Sequence, residues 1–183
     1  MVGYKSGTGI TNGYKNIGIG GYNFWGTTTG TNNIAIGYET LPSYNVGGLT
    51  GSNNIFIGHG AGYDSKSTIA DNVAIGISAL YNANNAYSTA VGSGSLALVT
   101  TGNDNTAIGY SSGGNITTGQ NNIAIGSNAQ TTANNASNEI VIGNATNNRF
   151  RVPGLGIDWT SATVPSGSGG GDANPQVFML MGA

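Results

Sequence analysis

Asn33-Ile34-Ala35-Ile36-Gly37 is one copy of a phrase that recurs along most of the chain. The other copies are Asn16-Ile17-Gly18-Ile19-Gly20, Asn54-Ile55-Phe56-Ile57-Gly58, Asn72-Val73-Ala74-Ile75-Gly76, Ser88-Thr89-Ala90-Val91-Gly92, Asn105-Thr106-Ala107-Ile108-Gly109, Asn122-Ile123-Ala124-Ile125-Gly126 and Glu139-Ile140-Val141-Ile142-Gly143. Successive terminal glycines are 17, 21, 18, 16, 17, 17 and 17 residues apart. A nearly constant interval of this size marks a repeat architecture in which each repeat is one structural unit. Val2-Gly3-Tyr4 stands 17 residues before the equivalent part of the first full phrase and is similar to Ile108-Gly109-Tyr110. The chain is therefore expected to begin inside a repeat, as a fragment of something longer.

Within each phrase β-branched residues alternate with a small one, the period-2 pattern of a strand with one side buried. Ile34 and Ile36 are expected to point into the molecule, and Asn33 and Ala35 away from it. The closing glycine suits a place where φ turns positive or backbones approach closely. Turn-rich stretches such as Thr27-Thr28-Thr29-Gly30, Thr100-Thr101-Gly102-Asn103 and Thr117-Thr118-Gly119-Gln120 separate the phrases. A second short segment follows each glycine, as in Tyr38-Glu39-Thr40-Leu41, Ile77-Ser78-Ala79-Leu80 and Ser93-Gly94-Ser95-Leu96, so two short strands and two turns fit one repeat. A lone 17-residue unit with two apolar side chains cannot offset the entropy of ordering it. The repeats must stack, with strands pairing above and below and Ile34, Ile55, Val73 and their equivalents forming apolar ladders. The expected fold is all-β: a parallel β-solenoid, or β-roll, of about eight rungs of ~17 residues.

The position between the two β-branched residues reads Gly18, Ala35, Phe56, Ala74, Ala90, Ala107, Ala124 and Val141. If isoleucine faces inward, this apolar and mostly small column faces outward and forms a contiguous patch of the kind that marks an interface. It is expected to be a subunit contact, with a three-fold axis favoured over a two-fold. Phe56 is the odd knob in the stripe. The 21-residue interval before Gly58 indicates an enlarged loop at Pro42-Ser43-Tyr44-Asn45-Val46-Gly47-Gly48.

Composition narrows the function. The 183 residues include 33 glycines, only 7% are charged and 38% are hydrophobic, so a core is possible and disorder driven by charge is not expected. A formal charge of −2 offers no counterion-releasing surface to a phosphate backbone, which argues against nucleic acid as a partner. One histidine, His59, and no cysteine exclude disulfide frameworks, thiolate zinc sites and cysteine nucleophiles. No apolar run has the length of a membrane span, and the first residues do not read as a signal peptide.

The phrases Asn-Ile-Ala-Ile-Gly and Asn-Thr-Ala-Ile-Gly-Tyr, spaced by Thr-Thr-Gly turns, resemble the head repeats of trimeric autotransporter adhesins (YadA-like). They also resemble related repeats in bacteriophage and algal-virus tail fibres. The resemblance covers residues 1–148. It implies a left-handed parallel β-roll, three chains around one axis, and attachment to surfaces. The chain departs from the pattern at Ser88 and Glu139, which occupy the asparagine position, and its repeats are longer than those of the bacterial adhesins.

The organisation expected is a β-roll repeat domain over 1–148, a cap or connector over 149–165, a Gly/Ser linker over 166–173 and an apolar C-terminal segment over 174–183. A repeat stack needs an altered last rung, because an open edge templates aggregation. The segment from Asn144 to Trp159 suits that purpose, and it is similar to stretches that lead from a repeat shaft to a terminal domain in virus fibres. Arg149 and Arg151 share one side of a strand, where an inter-chain ion pair with Glu139 or Asp158, or a solvated edge, is favoured over a ligand site. The run Pro175-Gln176-Val177-Phe178-Met179-Leu180-Met181 is the most apolar in the chain and is expected to be buried.

Catalysis is not expected. The carboxylates Glu39, Asp64, Asp71, Asp104, Glu139, Asp158 and Asp172 are scattered over different rungs without the pairing a glycosidase needs. His59 lacks neighbouring ligand types at metal spacing, and neither a metal nor a cofactor is expected. Tyr22, Trp25, Tyr38, Tyr63, Tyr81 and Tyr110 follow the phrase glycines, where aromatic faces beside amides and hydroxyls could bind a glycan. The sequence thus reads as a trimeric attachment segment of a viral tail fibre or surface adhesin. It would sit on a virion or cell surface with a host glycan or protein receptor as partner, and without membrane insertion. An ice- or surface-binding solenoid and a bacterial adhesin head are the alternatives.

Overall fold

The computed structural model describes residues 1–25, 29–42, 50–65, 68–84, 87–147, 149–152 and 157–160. The enlarged loop from residue 43 onward, the linker and the apolar C-terminal segment lie outside the described residues. The chain divides into two units, Met1–Asn144 and Ala145–Ala183.

The first unit is a parallel β-solenoid. Strands β1 (Ile17–Ile19), β2 (Ile34–Ile36), β3 (Ile55–Ile57), β4 (Val73–Ile75), β5 (Thr89–Val91), β6 (Thr106–Ile108), β7 (Ile123–Ile125) and β8 (Ile140–Ile142) form one sheet in sequence order. Pairing is in register with the phrase: Ile34 opposes Ile55, Ala35 opposes Phe56 and Ile36 opposes Ile57. Val2 adds a further parallel bridge to Ile19. The longer interval before Gly58 leaves this register intact, so its extra residues are absorbed outside the strands.

Among the described residues one strand, rather than two, forms per turn. The second segment is punctuated by left-handed residues, such as Glu39 (φ 51°) and Leu41 (φ 48°) or Ser78 (φ 53°) and Leu80 (φ 49°). Such a chain cannot extend, and it bonds alternately up and down the stack. Glu39 N–H donates to the Gly21 carbonyl of the preceding rung at 2.9 Å, and Leu41 N–H to the Ala61 carbonyl of the following rung at 3.0 Å. The phrase glycines close each strand in a column. Gly92 has φ +137°, and a Cβ there would lie 2.3 Å from the Gly109 oxygen of the next rung. Only glycine combines that dihedral with that approach.

The two sides of each strand are the reverse of the sequence expectation. Gly18, Ala35, Phe56, Ala74, Ala90, Ala107 and Ala124 are buried inside the coil, and Val141 packs partly against the same core. Ile17 and Ile140, by contrast, are 49% and 72% exposed. The middle column is therefore not the subunit contact expected of it. The physical reason lies in how narrow the coil is. Its interior is already filled by large side chains from other parts of each turn, among them Phe24, Leu41, Ile69, Leu80, Leu96, Val99 and Ile116. Alanine is what fits between them.

The phrase asparagines fix this orientation. Asn33 Nδ2 donates to the Gly51 carbonyl at 3.0 Å, and its Oδ1 accepts the Asn54 N–H at 3.0 Å. Asn54 Oδ1 in turn accepts the Asn72 N–H at 3.1 Å, and Asn72 Oδ1 the Ser88 N–H at 2.9 Å. The ladder crosses Ser88 through its hydroxyl, which accepts the Asn105 N–H at 3.3 Å. It continues from Asn105 to Asn122 at 3.0 Å and from Asn122 to Glu139 at 2.9 Å. These carboxamides are buried and must be satisfied within the coil. Because asparagine and alanine lie two positions apart, both face in, and isoleucine must face out.

In the second unit, β9 (Arg149–Val152) and β10 (Ile157–Thr160) form an antiparallel pair in which Arg151 is registered opposite Asp158.

Candidate functional site

Two surfaces result from this winding. The first is the sheet face outside β1 to β8. One column holds Ile17, Ile34, Ile55, Val73, Thr89, Thr106, Ile123 and Ile140, and the other Ile19, Ile36, Ile57, Ile75, Val91, Ile108, Ile125 and Ile142. No charged residue interrupts either column. Only Thr89 and Thr106 bring hydroxyls to it, in adjacent rungs.

The second surface is aromatic and lies just past the glycine column. Tyr4 and Tyr38 occupy the position after their phrase glycines, as does His59. In the intervening rung that position is Gly21, where a Cβ would meet the Tyr38 ring at 3.1 Å. Tyr22, one residue later, fills the gap. Its ring centroid is 5.4 Å from Tyr4 and 5.6 Å from Tyr38, both edge to face, and 4.9 Å from Trp25. Tyr38 continues to His59 at 5.8 Å. Lys5 Nζ lies over the Tyr4 and Tyr22 rings at 5.5 Å and over Trp25 at 5.2 Å, within cation–π range.

Tyr63 and Tyr81 form a stacked pair with centroids 5.2 Å apart and planes 15° apart. Partial desolvation raises the Tyr38 hydroxyl above its ordinary pKa, and Glu39 adds to the shift. Tyr81 is raised in the same direction, by desolvation first and then by Tyr63 and Asp64.

Of the six aromatic residues singled out in the sequence, the structure joins Tyr22, Trp25 and Tyr38 by ring contacts and stacks Tyr63 on Tyr81. Tyr110, 61% exposed, has no aromatic neighbour among the described residues. Tyr4, Lys5 and His59 belong to the first group and were not singled out as glycan contacts. The signal for Tyr4 and His59 was their shared place after the phrase glycine.

Two of the carboxylates, Asp71 and Glu139, hold local structure. Asp71 Oδ1 accepts from Asn53 Nδ2 at 3.1 Å, within an outer ladder that also links Asn32 to Asn53 at 3.1 Å and Asn121 to Asn138 at 2.7 Å. Glu139 accepts the Thr132 N–H at 2.9 Å and the Thr132 hydroxyl, and these bonds hold its carboxyl below the usual range. No group of three metal-ligating side chains occurs among the described residues.

No protein-family model matches the sequence, and comparisons with curated proteins and with solved structures find no significant match.

Proposed function

We propose that this chain is a structural and attachment segment of a trimeric fibre or adhesin, working at a virion or cell surface and without catalytic activity. Three copies would pack through the isoleucine columns and display the aromatic surface outward. The observation that carries this reading is the uncharged β-branched face along all eight strands. Eight strands about 4.8 Å apart, each three residues of about 3.3 Å, give roughly 400 Å² of flat sheet before side-chain relief is counted. A patch of that size is at the scale of the largest apolar patch on a monomer, which is often functional, and here it is continuous and uncharged over eight rungs.

A second copy is the partner best matched to it. Only another array with the same rung spacing can interdigitate with these ridges along their whole length, and closed symmetry protects the face from open-ended growth. The resemblance of the repeats to trimeric adhesin heads and virus fibres supports three copies and a role in attachment to a host glycan or protein receptor. Three copies would add avidity to weak single contacts. An ice-binding face, the alternative from a different class, would require exposed threonine ladders. The exposed columns hold threonine only at Thr89 and Thr106.

The test is retention of the fluorescently labelled chain on host cells and on a glycan array, compared with an Ile75→Lys/Ile108→Lys variant. The reading expects retention by the parent and its loss when charged substitutions separate the copies. Equal retention of both proteins, or of neither, would contradict it.

A further inference from the structure

Lys5 is held in an unusual setting for an exposed lysine. Its ammonium lies over three rings, Tyr4, Tyr22 and Trp25, and no carboxylate pairs with it among the described residues. Such a side chain normally extends into water, where its three donors are solvated. Here the rings keep the charge at the surface of the aromatic cluster, and none of those donors makes a hydrogen bond among the described residues. A fixed cation with uncommitted donors beside an aromatic surface is complementary to a ligand with an anionic group and an apolar face. An acidic pyranose has both, since its C–H face packs against aromatic rings and its carboxylate or sulfate accepts from an ammonium.

The local charge pattern sharpens the match. Lys5, Tyr22 and Glu39 occupy the same position of three successive rungs, with φ values of 51°, 56° and 51°. The cation therefore stands at one end of the cluster and a carboxylate toward the other. The chain carries a net charge of −2, so its overall field does not draw acidic ligands in. Selectivity for an acid has to come from this ammonium, and an anion would be placed at the Lys5 end and repelled from the Glu39 end.

Resting on the attachment reading above, we propose that Tyr4, Lys5, Tyr22, Trp25 and Tyr38 form a subsite for an acidic pyranose of a surface glycan. Lys5 takes the carboxylate or sulfate, and the rings take the sugar face.

The experiment applies the full chain to matched neutral, carboxylated and sulfated oligosaccharides on an array. The strongest acidic binder is then titrated by the fluorescence of Trp25 in a Trp159→Phe background. Acidic members should bind preferentially, with affinity that falls as salt rises. Lys5→Gln should weaken acidic binding on the order of ten-fold, and Lys5→Arg should restore it. The carboxylated and sulfated arms identify which anion is preferred.

Equal binding of neutral and acidic members, or acidic binding unchanged in Lys5→Gln, would overturn the proposal while leaving a glycan-attachment role standing. Binding of no oligosaccharide would also overturn it, and cell retention would then judge the attachment reading separately. Lys5 is exposed, so an unchanged circular dichroism spectrum and elution volume for each variant keep the comparison free of misfolding.

Discussion

Phe56 and Gly62 show how single positions keep the core filled. In β2 the buried alanine Ala35 is followed six residues later by Leu41, and in β4 Ala74 is followed by Leu80. In β3 the large and small partners are exchanged: a Cβ on Gly62 would lie 2.5 Å from the Phe56 ring. Leu41 and Leu80 adopt the left-handed conformation that Gly62 also has, so the backbone there accepts leucine. Phe56→Ala should cost about 3–5 kcal/mol through the cavity it leaves. Gly62→Leu alone should cost about 1–3 kcal/mol through overpacking. The double variant should recover part of both losses, since the Leu41 side chain, 3.0 Å from the same Cβ, still has to give way. Urea midpoints of the four proteins measure the coupling, and simple additivity would refute the pairing. Gly92→Ala offers no such rescue, because its Cβ would meet backbone. A loss of about 2–4 kcal/mol in the same assay is expected from the clash and the strained φ together.

At the scale of the element, the asparagine ladder separates what the sequence disclosed from what it concealed. The phrase interval, the glycine column and the strand register were all readable, because each depends on spacing along the chain. The facing of the strands was not. Isoleucine and alanine are both apolar, so their alternation alone admits either side as core, and the larger residue was the natural choice for the interior. The deciding facts lie elsewhere in the turn, in buried Leu41, Leu80 and Leu96 and in carboxamides that need backbone partners. Asn54 shows the cost of losing such a partner. It bonds Asn33 Oδ1 at 2.9 Å, the Ile69 carbonyl at 3.0 Å and the Asn72 N–H at 3.1 Å. Asn54→Leu would strand these groups in a dry interior, about 1–3 kcal/mol for each one left unmade, and should lower the denaturant midpoint more than any ladder-edge substitution. Ser88→Asn tests the same element from the other side, since a longer acceptor should shorten the 3.3 Å bond to Asn105 and raise the midpoint.

Glu139 ends the ladder and couples it to pH. Its carboxyl is held below the ordinary range by the hydroxyl and amide of Thr132. A depressed folded pKa means that the carboxylate stabilises the fold above its unfolded pKa, near 4.3 for glutamate. That contribution is lost as pH falls through the lowered folded value. The protection factor of the Thr132 amide, its exchange corrected for the intrinsic rate at each pH, should therefore fall on acidification below about pH 4. Glu139→Gln should remove that pH dependence while leaving exchange at Asn54 unchanged.

At the scale of the whole molecule, the aromatic cluster was only half legible. Tyr22, Trp25 and Tyr38 were visible as exposed aromatics, but grouping them with Tyr4, Lys5 and His59 required the register across rungs of unequal length. The quaternary arrangement rests on the outward isoleucines. A solenoid that leaves Ile17, Ile19, Ile75, Ile108 and Ile125 more than a third exposed along one face is poorly suited to remain alone in water. The most direct test of that claim is the mass of the chain by light scattering at micromolar concentration. Three copies of 18.3 kDa give about 55 kDa, which the account predicts. A single species near 18 kDa, unchanged on concentration, would contradict it.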